Sequence, residues 1–204
     1  MELKKGVLIV LEGIDGSGKT TQARKLLESL KAESVDAVYF REPSGSRWGL
    51  AIKKKAKRPN SLTPEEELDL FQKDRRENVA KNLKPALQNN KVVILDRYYF
   101  STIAYQGARG LDPRMIQKNN EEFAVRPDLV FILDIDPEKG LKRIEKNGRK
   151  KDRLFEQKEY LAEVRKIFKR FKGNNISHVD AQRSPEEIFR KIKKIVFDYL
   201  AALS

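Results

Sequence analysis

Short apolar runs alternate with helix-spaced apolar positions along the chain. Val7–Leu11, Ala37–Phe40, Val92–Leu95, Leu129–Leu133 and Ile176–Val179 read as strands. The third and fourth of these contain no polar position, as expected of parallel strands covered on both faces. Helical spacing fills the gaps. Ala23, Leu26, Leu27 and Leu30 share one face between Thr21 and Lys31. Thr63-Pro64-Glu65-Glu66 and Ser184-Pro185-Glu186-Glu187 each offer a cap, a proline at the first helical position and a glutamate that completes a capping box. Ile188, Ile192, Ile195 and Tyr199 then mark a buried stripe. Leu161, Val164, Phe168 and Phe171 mark another, after a helix that starts near Pro137. No repeat or low-complexity linker interrupts the pattern. It predicts one α/β domain over 1–204, with three layers, a five-stranded parallel sheet, helices on both faces and right-handed crossovers.

Such sheets gather ligands at the carboxyl ends of their strands. The first strand runs into Gly13-Ile14-Asp15-Gly16-Ser17-Gly18-Lys19-Thr20, which fits the P-loop pattern G-x-x-x-x-G-K-[ST] in full. Residues Gly13 through Thr20, with Thr21, are the candidate ATP-binding cradle. Their backbone N–H groups and the helix N-terminus suit phosphate oxygens. Lys19 is placed to reach the β- and γ-phosphates and Thr20 to bind Mg²⁺. The third strand ends in Asp96-Arg97-Tyr98, the Walker-B position. Asp96 is a second Mg²⁺ candidate and Arg97 faces the phosphates, the alternative being a structural Asp–Arg pair that caps the next helix. Arg41-Glu42-Pro43 puts a charged pair at the same sheet edge. Phe71 and Arg75, four apart on one helix face, suit a flat base: the ring stacks and the guanidinium donates to a carbonyl. Gly148-Arg149-Lys150-Lys151-Asp152-Arg153 reads as part of a lid at about 147–156 that closes over phosphates and excludes water.

Composition narrows the partners. The chain has 204 residues, 39% hydrophobic and 36% charged, which suits a soluble protein with a substantial core. No apolar run approaches the roughly 18 residues of a membrane span. The chain reaches its first strand within a few residues, so no signal peptide is expected. The absence of cysteine excludes disulfides and thiolate metal sites and suits the cytoplasm or a hot environment. His178, the only histidine, excludes a His-based triad and reads as an ordinary residue at a strand end. A net charge of +13 raises the question of a nucleic-acid partner. The basic residues are spread over helices that also carry glutamate. A solvated Lys/Glu surface and an electropositive polyphosphate cleft account for them, and neither nucleic acid nor membrane is expected as a partner.

Together these motifs resemble the thymidylate kinase family of P-loop nucleoside-monophosphate kinases, over nearly the whole chain. Leu11 through Gln22 resembles its E-G-x-D-G-x-G-K-[ST]-T-Q loop, and Arg41-Glu42-Pro43 its R-E-P motif. Phe71 to Arg75 resembles F-x-x-x-R, and Asp96 through Gly107 is close to D-R-Y-x-x-S-x-x-A-Y-Q-G. Arg126-Pro127-Asp128-Leu129 fits as well, as does the Asp180-to-Glu187 loop, near where the family holds adenine. The resemblance implies a P-loop NTPase fold, a homodimer, and ATP and dTMP as ligands. It implies that Asp15 contacts the deoxyribose 3′-hydroxyl, Phe71 stacks on thymine and Arg75 bonds its O4 edge. Thr102 faces the pyrimidine, Tyr105 crowds the 2′ position and Arg97 holds the acceptor phosphate. Arg41 and Gln106 complete the substrate-binding set. Gly16 stands where some members carry a catalytic arginine, so Arg149 and Arg153 become catalytic candidates beside Lys19 and Arg97. Two departures stand out. Ser44-Gly45-Ser46 replaces the frequent Gly-Gly-Thr, and Asp152-Arg153 lies one residue farther from Phe155-Glu156 than the common D-R-x-E spacing allows.

The expected reaction is transfer of the ATP γ-phosphoryl group to dTMP, giving dTDP and ADP in dTTP biosynthesis. The acceptor phosphate is largely ionised at neutral pH, its second pKa lying near 6, so no strong base is needed. Alignment and charge stabilisation carry the rate. The rivals are a kinase for dUMP or another small acceptor, a regulatory GTPase and a basic nucleic-acid-binding module. The GTPase lacks an N-K-x-D guanine motif.

Overall fold

The computed structural model describes residues 3–55, 62–146 and 154–203. Strands β1 (Val7–Glu12), β2 (Ala37–Arg41), β3 (Val92–Asp96), β4 (Leu129–Asp134) and β5 (Ile176–Asp180) pair in parallel, in the order β2-β3-β1-β4-β5. Helices pack on both faces, as the P-loop NTPase architecture requires. They are α1 (Lys19–Ala32), α2 (Arg47–Lys55), α3 (Pro64–Asn78), α4 (Lys84–Gln88), α5 (Tyr99–Gly107), α6 (Pro113–Glu121), α7 (Pro137–Glu145), α8 (Leu154–Arg170) and α9 (Pro185–Ala201). Val7–Leu11 of β1 and Val92–Leu95 of β3 are wholly inaccessible, so both faces of the central strands are dry.

Each strand runs one residue past its expected end and finishes on a charge: Glu12, Arg41, Asp96, Asp134 and Asp180. Ladder pairing is a backbone property, so it continues where the side chain stops being apolar. Leu11 pairs with Asp96, Arg41 with Asp96 and Asp134 with Asp180. β1 lies between β3 and β4, and the crevice beyond their carboxyl ends is the switch point of the sheet.

Both expected capping boxes form, at Thr63 with Glu66 and at Ser184 with Glu187. Several details differ from the sequence expectation. α1 begins at Lys19 rather than Thr21, because Gly18 in a left-handed conformation serves as its N-cap. The buried stripe of α9 is Ile188, Ile192, Val196 and Leu200; Ile195 and Tyr199 are only partly buried on its flank. His178 sits in the middle of β5, its Nε2 3.0 Å from the Phe171 carbonyl oxygen. α3 continues through a π-helical turn, Val79–Leu83, into α4. Pro85 has no N–H for the Lys81 carbonyl, and the widened turn accommodates its ring.

Candidate active site

The loop between β1 and α1 wraps around the Lys19 ammonium, which donates to the carbonyls of Gly13 and Ile14, each at 2.9 Å. Burial, reinforced by the nearby Arg97 cation, pushes the Lys19 amine below its ordinary range. Thr20 Oγ1 donates to Asp96 Oδ2 at 2.5 Å, and the Tyr39 hydroxyl donates to the same oxygen at 3.2 Å. Gly16 has φ +79°, and a Cβ there would lie 2.2 Å from the Gly140 carbonyl oxygen. A Cβ on Gly140 would lie 2.8 Å from the Asp15 carbonyl oxygen, so α7 and the loop meet backbone to backbone.

A cleft of about 410 Å³ opens over this loop. Residues 15–22 line it with Arg41, Asp96, Arg97, Arg143, Ile144, Pro185 and Ile188. Gly13 and Ile14 instead border a small void beside Asp134 and Arg165. Gln22 pins the opposite wall: its Nε2 donates to the Pro185 carbonyl at 2.9 Å. Arg143 escaped the sequence reading, because an arginine in an amphipathic helix carries no motif.

A second cavity, of about 310 Å³, lies beside the first. It brings together Phe71, Arg75, Arg97, Thr102, Tyr105 and Gln106, six of the eight residues in the expected substrate set, and Asp15 makes a seventh. Arg41 lines the P-loop cleft instead. Arg41 and Glu42 do not act as the expected charged pair. Arg41 is exposed, whereas Glu42 is buried and takes Arg75 as its partner, with Nε to Oε2 at 2.8 Å. Successive strand-end residues point to opposite sides, which separates them. Burial raises the Glu42 carboxyl above its ordinary range, against the pull of Arg75.

Arg75 is almost wholly inaccessible, and two further acceptors fix it: Asn120 Oδ1 at 2.6 Å from Nη1 and Thr102 Oγ1 at 2.9 Å from Nη2. Behind Glu42 the chain of bonds continues to Asn78 Nδ2 at 3.2 Å, whose Oδ1 accepts from Asn82 inside the π-helical turn. The Gln106 amide donates to Glu67 at 3.0 Å, while its buried Oε1 has no partner among the described residues. The Ser44-Gly45-Ser46 departure has a local explanation. Both serine hydroxyls donate to Asp74 Oδ1, and Ser46 Oγ accepts the N–H groups of Trp48 and Gly49 at the start of α2.

Asp15 and Arg97 line both cavities and form their common boundary. Arg97 takes a left-handed φ of 72° and donates from Nη2 to Asp15 Oδ1 at 2.6 Å and from Nη1 to Ser101 Oγ at 3.0 Å. Asp96 faces Thr20 and Arg97 faces Asp15, so the two neighbours do not form the alternative capping pair. The cap of α5 comes from Glu12, which the sequence reading quoted within the loop motif without assigning it a role. Its wholly buried carboxylate accepts Tyr98 N at 2.7 Å, Ser101 N at 3.2 Å and Ser101 Oγ at 2.5 Å. Burial lifts the Glu12 carboxyl to about 7, against the pull of Ser101 and Arg97.

Arg149 and Arg153 lie outside the described residues, as does the expected lid as far as Arg153; positions 154–156 open α8. Among the described residues no cluster of three metal-ligating His, Cys, Asp or Glu side chains occurs, and no helix is long and apolar enough to cross a membrane.

The sequence profile of the thymidylate kinase family matches residues 11–192. A probable thymidylate kinase of Archaeoglobus fulgidus is 43% identical over 194 residues, covering 95% of this chain and 96% of the relative. The thymidylate kinase of Brachyspira hyodysenteriae is 42% identical over 92% of each chain. That of Akkermansia muciniphila is 42% identical over 94% of this chain and 91% of its own. On this extent of similarity the chain belongs to the thymidylate kinase family, phosphotransferases that act on dTMP.

Proposed function

We propose that the two cavities are the donor and acceptor halves of one phosphoryl-transfer site, with ATP over the P-loop, dTMP beside it and the γ-phosphoryl group crossing at Asp15 and Arg97. The observation that carries this reading is the shared wall: the same ion pair borders both cavities. In-line transfer needs donor and acceptor phosphates adjacent, and a fixed cation at the junction meets the charge that develops there.

The donor set of Thr20 and Asp96 suits Mg²⁺: hard oxygen ligands, too few for a closed cage, leave room for phosphate oxygens and water. When bound, the ion would neutralise negative charge on the phosphates. Lys19 is already inside the loop, where β- and γ-phosphate oxygens would take over from the carbonyls it now bonds. Arg143, Pro185 and Ile188 form the outer cleft wall, where a planar base would lie.

In the acceptor cavity Phe71 supplies a stacking surface and Arg75 a donor for the thymine 4-oxo group. The unpartnered Gln106 Oε1 matches the thymine N3–H. Asp15 takes the 3′-hydroxyl, Tyr105 fills space beside the sugar, and Arg97 grips the acceptor phosphate. Arg149 and Arg153 deliver charge from the lid. The whole chain works as one domain, as a cytoplasmic homodimer; sedimentation of the purified protein tests the dimer.

The decisive experiment is an ATP- and Mg²⁺-dependent acceptor screen with product identification. dTMP should yield dTDP and ADP, faster than dUMP or any nucleoside. Faster turnover of another acceptor, or GTP hydrolysis without one, overturns the reading.

A further inference from the structure

Arg75 borders the acceptor cavity, but part of what holds it lies behind. Asn120 on α6 is completely buried, lines neither cavity and lies 45 residues along the chain from Arg75. Its Nδ2 donates to the Ile116 carbonyl at 2.7 Å, and its Oδ1 accepts from Arg75 Nη1 at 2.6 Å. A carbonyl can only accept and a guanidinium can only donate, so the two neighbours fix the amide in one orientation. Asparagine is a poor helix former, and burying an amide is costly unless it is fully bonded. A leucine there would leave a buried guanidinium N–H of Arg75 without this acceptor, so the residue answers to Arg75 rather than to packing.

Three acceptors from three elements hold the guanidinium. Glu42 follows β2, Thr102 lies on α5 and Asn120 on α6. Glu42 and Thr102 also border the cavity; Asn120 does not, and its other bond goes to the Ile116 carbonyl of its own helix.

We infer that Asn120 is a positioning residue for base selection, holding Arg75 at a fixed angle so that it donates to the 4-position of the acceptor pyrimidine. This rests on assigning the 310 Å³ cavity to the acceptor base. A 4-oxo group accepts from Arg75, whereas a 4-amino group sets donor against donor. Without Asn120 Oδ1, Nη1 loses its partner in a dry site, and the guanidinium turns toward another acceptor. The charge stays and the angle is lost, so a 4-oxo base loses its advantage over a 4-amino base.

The test uses the full chain with Asn120→Leu, which removes the acceptor at similar volume, and Asn120→Asp, which keeps an acceptor for Arg75. Asn120→Leu should raise KM for dTMP about tenfold and narrow the dTMP-to-dCMP ratio of kcat/KM by a similar factor. KM for ATP should hold, kcat should change by less than about threefold, and Asn120→Asp should retain most of the selectivity. The inference is overturned if folded Asn120→Leu keeps wild-type KM and selectivity. It is equally overturned if both substrates and kcat suffer alike, or if Asn120→Asp loses as much selectivity as Asn120→Leu. Should Asn120→Leu not fold, Asn120→Ala is measured with the same outcomes. Arg75→Ala in parallel separates the two claims. If it leaves KM for dTMP unchanged, the assignment of the cavity fails. If it raises KM and the Asn120 variants do not, the positioning role fails.

Discussion

The Asp15 carboxylate and the Arg97 guanidinium meet at 2.6 Å, joining the loop after β1 to the residue after β3. Asp15 is about half exposed while Arg97 is mostly buried, so the cation is fixed and its partner still faces solvent. A charge held in this way costs little reorganisation when a phosphate arrives. Arg97→Ala should lower kcat/KM for dTMP on the order of 10³-fold, as other phosphoryl-transfer arginines do. ATP affinity should change by less than about tenfold, since Lys19 and the loop amides remain. Steady-state kinetics with calorimetric ATP binding checks both, and a loss confined to ATP affinity would place Arg97 on the donor side alone.

The lid arginines carry a separate expectation. Arg149→Ala or Arg153→Ala should lower kcat far more than it raises KM for dTMP, by on the order of 10³-fold for the residue that reaches the phosphates. Near-normal turnover in both single variants and in the double variant removes them from the mechanism.

An arginine at position 16 should not substitute for them. Any side chain there meets the Gly140 backbone and takes a left-handed φ. Gly16→Arg combined with loss of the lid arginines should therefore be no more active than the lid variant alone. Gly140→Ala probes the same contact from α7 and should cost about 1–3 kcal/mol of stability through overpacking. Urea unfolding and ATP affinity report it, and a wild-type result in both would mean that the contact is slack.

Glu12 predicts a pH dependence of stability. Its carboxyl rises on folding from 4.5 to about 7, chiefly through burial. Below 4.5 both states are protonated and the stabilising contribution is complete. Between 4.5 and 7 the unfolded chain ionises first, so stability falls as pH rises, and it levels off above 7. Glu12→Gln cannot ionise and accepts fewer of the α5 donors. Its stability deficit relative to the wild type should be larger at about pH 5 than at about pH 7.5. Equal deficits at both values, measured by denaturant titration, would show that Glu12 is already ionised in the folded protein.

Much of the fold was legible because four of the five strands open as apolar runs and two helices open on complete capping boxes. The strand ends were misplaced by one residue for the same reason. An apolar criterion stops at a charge, and every strand here finishes on one. The P-loop and the Phe71–Arg75 pair were readable because both are local in sequence. Glu12, Asn120 and Arg143 were not, because each acts through a distant partner: Ser101, Arg75 and the Gly16 carbonyl. The divergence of Arg41 from Glu42 depended on which side of β2 each faces beyond the apolar run, which sequence adjacency conceals.

The bare contact between Gly16 and Gly140 also bears on motion. α7 meets the phosphate-binding loop twice, at Gly140 and through the Arg143 bond to the Gly16 carbonyl. With no side chain between the two glycines, neither backbone can shift toward the other without meeting it directly. Arg143 and Ile144 of the same helix border the donor cleft, so a nucleotide seated there would bear on the loop and on the helix that abuts it at once.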